Sequence, residues 1–444
     1  MNRILLTGAT ALALFFSGAA QAQQRIKVEL WQGLTGDLGS AVEEVCQRFN
    51  ESQKEFEISC PTQGSYDAAV QNAIAAFRAK KQPTIVQVFD AGTLDLMLSD
   101  AFVPARRLME ENGYKIDWAN YFPGIANYYA SGKGELFSFP FNSSTALFYW
   151  NKDAFAKIGK SEAPKTWQEV EASARALKSA GYGCPMAINH DTWTLLEQFS
   201  AIHGQPIATK DNGYGGLDAE LVINKTKFVD YIKFIKKGLD EGLFKIKLPE
   251  TGANIVQAFA SGDCQMMMSS VADHGTVGKT AKPEMQWSVA MLPVLEGTKR
   301  LNSLVGGASL WVLSGKSKDE YRAAAAFLNF IAKPESELFW STRTGYIPVT
   351  KTGFQHLKTQ GFYDKPQYKG RELALESLTA TEVTPLSRGI RLGGFIQIRK
   401  EMRDALADIF AGKVSVEEGI NAGVERSNAI LRRFEKTYAG KQLL

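Results

Sequence analysis

Apolar and polar positions follow two different periods along this chain, and segments of the two periods take turns. Residues 26–31 (IKVELW) switch between apolar and polar at nearly every second position, the period of a half-buried strand, whereas residues 39–50 carry their apolar side chains at helical spacing. Residues 56–60 return to strand character. Val70, Ile74 and Phe77 fall at i, i+4 and i+7, which predicts a helix over 66–80 with one buried stripe through those three residues. Residues 84–89 (TIVQVF) read as a central strand. Thr166 stands at an N-cap position before a helix running through Leu177 to a glycine stop at Gly181, and residues 228–242 end the same way. Gly262 and Asp263 precede a methionine-rich strand at 264–269, and 399–410 is again helical. Strands alternating with amphipathic helices form a mostly parallel sheet covered by helices, so the expected fold class is α/β.

At 444 residues and 45% hydrophobic, the chain is too long for one core and long enough for two. It has no internal repeat, low-complexity tract or long flexible linker. Two lobes joined by short crossings are therefore expected, with crossings near 141–146, 287–293 and 332–340. This division puts 23–142 plus about 291–334 in an N-terminal lobe and about 143–290 plus 335–444 in a C-terminal lobe. Such a hinge permits closure over a ligand in the cleft.

The amino terminus has the form of an export signal: Arg3, an apolar run over 4–16, and the small residues Ala20 and Ala22 around Gln21. Cleavage is expected after Ala22, which would deliver the protein to the periplasm. The run is shorter than the roughly 20 residues a spanning helix needs. No cysteine follows the cleavage point to carry a lipid. The 51 basic and 47 acidic residues give +4, and loss of Arg3 leaves 50 against 47, or +3. With no lysine and arginine run, nucleic acid and membrane surfaces are poor partners. Cys46, Cys60, Cys184 and Cys264 permit three disulfide pairings in an oxidising compartment, the nearest-neighbour one being Cys46–Cys60 with Cys184–Cys264. Free buried thiols are the alternative. No CxxC occurs, and the four histidines lack ligand spacing, so neither metal nor cofactor is expected.

The stretch FNSSTALFYWNKDAF (141–155) joins a set of motifs: WQGLTGDLG (31–39), GSYDAAVQNAIAAFR (64–78), SGDCQMM (261–267), GGASLWV (306–312), TGYIPVT (344–350) and RGIRLGGFIQIR (388–399). Together they closely resemble the periplasmic sn-glycerol-3-phosphate-binding proteins of ABC importers, over essentially the whole exported chain. The resemblance implies a maltose-binding-protein-like fold with the ligand in the interlobe cleft. It also implies a non-catalytic, monomeric receptor that serves two transmembrane permease subunits and a cytoplasmic ATPase. On the matching motifs it assigns ligand contacts to Tyr66, Ser144, Ser270, Gly307, Tyr346 and Arg399. Hydroxyl and backbone donors around one guanidinium suit a phosphate, because charge-assisted hydrogen bonds are the strong ones and the guanidinium fork matches two oxygens. Gly307 would let a backbone N–H come close.

Two positions depart from the family pattern. Asp90 stands where the family has a glutamate that holds the glycerol hydroxyls, and of two ligand-stacking tryptophans only Trp193 is present, with His190 in place of the first. Both changes widen the pocket away from the phosphate and suggest room for the headgroup of a glycerophosphodiester such as glycerophosphocholine, whose cation would favour Trp193 and Asp90. The rival functions are a secreted phosphodiesterase acting on the same esters and an oligosaccharide receptor of the same fold. The first needs clustered carboxylates and histidines, and the second favours stacked aromatics and neutral amides.

Overall fold

The computed structural model describes residues 24–131, 134–441 and 443; the expected export segment, 1–22, lies outside the described residues. Strands β1 (Ile26–Trp31), β2 (Phe56–Ser59), β3 (Ile85–Phe89), β4 (Phe102–Val103) and β5 (Phe139–Ser144) come first along the chain. β6 (Ala146–Asn151), β7 (Met186–Ile188), β8 (Phe244–Ile246), β9 (Met266–Ser270) and β10 (Trp287–Ala290) follow, and β11 (Gly306–Leu313) is last. They form two sheets. One has the order β2-β1-β3-β11-β4 with β5 also paired to β11, and the other the order β10-β6-β9-β7-β8. β1 runs parallel to β2 and β3, and β11 is antiparallel to β3, β4 and β5.

Each lobe therefore has its own sheet, and a single residue, Thr145, separates β5 in one from β6 in the other. This is the first crossing, within the expected 141–146. The chain returns between β10 and β11, over 291–305, beginning where 287–293 was expected but ending later. The third crossing is not near 332–340. The helix Pro334–Arg343 instead stays on the first lobe: Arg343 pairs with Asp37 and Glu44, and Trp340 stacks on Phe141. Phe122 and Tyr121 then take up Val349 and Thr350 by backbone hydrogen bonding. Residues 334–350 thus belong with the first lobe, beyond the boundary at 335 that the sequence suggested.

Local signals explain most elements. Thr166 and Glu169 close a reciprocal capping box on the helix Trp167–Ser179. The helix at 39–50 extends to Gly36–Ser52, that at 228–242 is Phe228–Asp240, and the last strand-to-cleft helix begins a turn earlier than expected, at Phe395–Phe410. The helix Tyr66–Arg78 is capped by Ser65, whose Oγ accepts from the Ala68 N–H. Its buried face is Ala69, Val70 and Ala73, and Ile74 is 38% exposed. The stripe expected through Ile74 is rotated by about one residue because the small Ala69 and Ala73 let the helix approach β3 closely. Ile74 and Phe77 border a groove beside Val86 and Val88 instead. The disulfides are Cys46–Cys60 and Cys184–Cys264, one in each lobe, and no free cysteine remains.

Candidate functional site

A cavity of about 320 Å³ opens where the ends of β3, β5, β9 and β11 face one another across the two lobes. Tyr66, Asp90, Ser144, Trp193, Ser270, Gly307, Tyr346 and Arg399 all line it. Of the residues named from sequence, His190 alone is absent. Its ring packs 5.7 Å from Phe410, and burial lowers its pKa.

Each wall residue is fixed by its neighbours. Tyr66, the first residue of its helix, stacks on Phe89 at 5.4 Å with an angle of 4° between rings. Its hydroxyl ends a buried polar relay. The Gly33 N–H donates to Gln87 Oε1, Gln87 Nε2 donates to Asn142 Oδ1, and Asn142 Nδ2 donates to the Tyr66 oxygen at 2.7 Å. Since the relay is oriented by a backbone N–H at one end, Tyr66 receives a hydrogen bond and keeps its own proton to donate. Tyr346 Oη lies 3.4 Å away. Burial raises the pKa of Tyr66 well above the phenol value and pushes Tyr346 up to about 12, so both are neutral donors at any physiological pH.

Glycine is required at 306 and 307 by the protein itself. A Cβ on Gly307, at φ +98°, would lie 1.9 Å from the Asn142 carbonyl oxygen, and one on Gly306 would lie 2.4 Å from the Trp193 ring. The expected reason, clearance for a ligand oxygen, is thus not needed to explain Gly307. Asp191 orients Trp193: its two carboxylate oxygens accept from the N–H groups of Trp193 and Thr194, capping the turn that follows. Ser270, at the end of β9, accepts from the Ala272 N–H at 3.1 Å.

Arg399 departs most from expectation. Its Nε and Nη2 donate to the two oxygens of Glu197, at 2.7 Å each, and Nη2 also bonds Asp90. The guanidinium fork expected to face a phosphate is therefore turned onto Glu197, and Asp90, expected to hold hydroxyls, holds the guanidinium. Glu197 is 1% exposed; burial raises its pKa to about 7 against the opposing pull of Arg399. Asp90 is raised for the same reason. Asp273, at the cavity edge, is pushed by burial to about 6, with the Ser269 hydroxyl opposing.

The family model for bacterial extracellular solute-binding proteins matches residues 44–368. This chain is a bacterial extracellular solute-binding protein. It is 37% identical over 434 residues to the sn-glycerol-3-phosphate-binding periplasmic protein UgpB of Escherichia coli O1:K1, covering 97% of this chain and 98% of that one. Against UgpB of Salmonella paratyphi A it is 37% identical over 432 residues, covering 96% and 97%. Among solved structures, UgpB from Mycobacterium tuberculosis in complex with glycerophosphocholine superposes with a TM-score of 0.76 at 21% identity, covering 92% of this chain and 99% of that one. The GacH receptor of Streptomyces glaucescens, solved unliganded and with acarbose, gives 0.76 at 16% identity, with 93% and 100% covered. These structures share the two-lobe fold with this solute-binding protein.

Sequence reasoning missed Glu197, Asn142, Asp191, Asp273 and Arg403, all at or directly behind the cavity wall. Two of them carried a signal. Glu197 is an acid within the apolar run LLEQFSAI, one helical turn past Trp193, and Arg403 lies at i+4 from Arg399 on one helix face. Among the described residues no group of histidine, cysteine and acidic side chains is arranged to hold a metal ion, and no helix is long and apolar enough to cross a membrane.

Proposed function

We propose that this solute-binding protein is the periplasmic, non-catalytic receptor of an ABC importer for a glycerol phosphate or a glycerophosphodiester, passed on to two permease subunits and a cytoplasmic ATPase. One observation carries the reading: eight residues from far-apart segments, assigned to ligand by the family motifs, converge on a single interlobe cavity. Tyr66, Tyr346, Ser144 and Ser270 would donate to phosphate and glycerol oxygens, and Arg399 would supply the positive charge. The ligand of the curated relatives, sn-glycerol 3-phosphate, and the glycerophosphocholine held by the M. tuberculosis protein both fit this chemistry. The acids at the cavity favour the zwitterionic diester: Asp191 and Asp273 line the same cavity as Trp193, whose ring face suits a choline or ethanolamine cation.

Export with cleavage after Ala22 is part of the same proposal, and mass spectrometry of the mature protein from periplasmic extract reads the new terminus directly. The ligand is tested by side-by-side calorimetric titration with sn-glycerol 3-phosphate and glycerophosphocholine. Micromolar binding corresponds to about 8 kcal/mol, within reach of four or five donors to a charged group at roughly 1.5–3 kcal/mol each. Failure of both esters to bind would end the reading. Recovery of free choline or glycerol after long incubation would replace the receptor with a phosphodiesterase.

A further inference from the structure

Arg399 meets the cavity with most of its donors already engaged. Glu197 takes Nε and one hydrogen of Nη2, Asp90 takes the other, and Nη1 donates to none of the described residues. Two carboxylates on one guanidinium leave the cluster with formal charge −1. The remaining charged side chains of the wall are Asp67, Asp191, Asp273 and Arg403. A ligand therefore meets four carboxylates on the wall, Asp67, Asp90, Asp191 and Asp273, with Glu197 directly behind it, against two guanidiniums. That balance suits an anion of low charge, or one that brings its own cation, and opposes a dianion.

We propose that Glu197 and Asp90, by occupying Arg399, set the charge of the ester this cleft accepts. A phosphodiester monoanion binds with no change of protonation, whereas a phosphomonoester dianion binds only with uptake of about one proton from solvent by the Glu197–Asp90 pair. The inference rests on the phosphate-ester reading above and adds a charge selection that neither the fold nor the residue types imply. Glu197 is the specificity-determining member, because it grips the guanidinium with both oxygens and lies deepest. It acts through Arg399 and does not touch the ligand.

The groups that face the pair come from both lobes. Arg399 projects from the helix Phe395–Phe410, and Asp191 lies at the turn before the Glu197 segment; Tyr128 and Tyr129 come from the first lobe. The two tyrosine hydroxyls are buried without a partner among the described residues, so they add neither charge nor a fixed acceptor. Burial has already brought Glu197 to about 7 with Arg399 in place. A second negative charge beside it raises that further, since like charges disfavour the ionised form. The proton that must be taken up is thus within reach at neutral pH.

The test is calorimetry of the exported chain at pH 8, where a phosphomonoester, with its second ionisation near 6, is a dianion. sn-Glycerol 3-phosphate and glycerophosphocholine are titrated in Tris and in HEPES, whose ionisation enthalpies differ, so that the difference in observed heat counts protons. The monoester is expected to take up about 0.5 to 1 proton, and its affinity to fall by up to about tenfold per pH unit between 7 and 9, with the diester near zero and flat. Glu197→Gln keeps an acceptor for Arg399 and should abolish most of the uptake while flattening the monoester profile. The wild-type measurement stands on its own if that variant does not fold. Monoester binding with uptake below about 0.2 proton, or equal uptake for both esters, overturns the proposal while leaving the receptor reading intact. Binding of neither ester overturns both.

Discussion

Replacing Arg399 with methionine removes one guanidinium and strands two buried acids, and the structure indicates how large and how pH-dependent the damage should be. Glu197 and Asp90 are buried and both bond Arg399. Breaking a buried ion pair from one side costs about 3–5 kcal/mol, because the remaining charge is uncompensated. In a cooperative unit of 150–250 residues, about 1 kcal/mol moves the melting temperature by roughly 2–4 °C, so Arg399→Met should melt about 6–20 °C lower at pH 8. The stranded acids can escape by taking protons. Without Arg399 their folded pKa values rise further above the unfolded values, about 3.9 for Asp90 and 4.3 for Glu197, and an acid raised on folding contributes stability below the unfolded value that is lost as pH rises through the folded one. Wild-type Glu197 itself takes up its proton near pH 7, so for this carboxyl the difference between variant and wild type shrinks by about one unit, about 1.4 kcal/mol, between pH 8 and pH 7 and then levels off. Part of the melting deficit, roughly 3–6 °C, should therefore vanish by pH 5, and Glu197→Gln added to Arg399→Met should recover part of it at pH 8. Thermal unfolding followed by far-UV circular dichroism at both pH values is the assay. A deficit equal at pH 5 and pH 8, or below about 2 °C at pH 8, would refute the buried cluster.

Gly307→Ala forces a Cβ onto the Asn142 carbonyl at φ +98° and should cost at least about 2 kcal/mol, a fall in melting temperature of roughly 4 °C or more even without ligand. Removing the Cys184–Cys264 bridge, whose ends are 80 positions apart in sequence, should destabilise more than removing Cys46–Cys60, whose ends are 14 apart. Loop entropy gives roughly 4.5 against 3 kcal/mol, and paired cysteine-to-alanine variants compared by thermal unfolding would show the order. His190→Ala should leave ester affinity within about twofold by titration, since the side chain packs on Phe410 outside the cavity. Tyr66→Phe strands the buried Asn142 amide as well as losing a ligand donor, so stability should fall by about 1–3 kcal/mol together with affinity.

Features decided within a few residues were legible from the sequence. Thr166 announces its helix because a cap and its Glu169 partner lie three residues apart, and the passage from β5 to β6 reads as a crossing through the family motif it carries. The helix phase at 66–78 was misjudged because Ile74 outweighs Ala73 in apolar character, whereas close packing on β3 selects the smaller side chain. The third crossing was misplaced because the helix Pro334–Arg343 looks the same whichever lobe it covers; Asp37 and Glu44, some 300 residues earlier, hold it.

By itself the sequence determined the α/β alternation, the local caps and, through its motifs, the residue types gathered for a ligand, because hydrophobic period and short-range hydrogen bonding need only neighbours along the chain. Only the tertiary structure decided the charge of the site. Arg399 meets Glu197 across 202 residues and Asp90 across 309, and whether a guanidinium is free for a ligand depends on which buried acids reach it first.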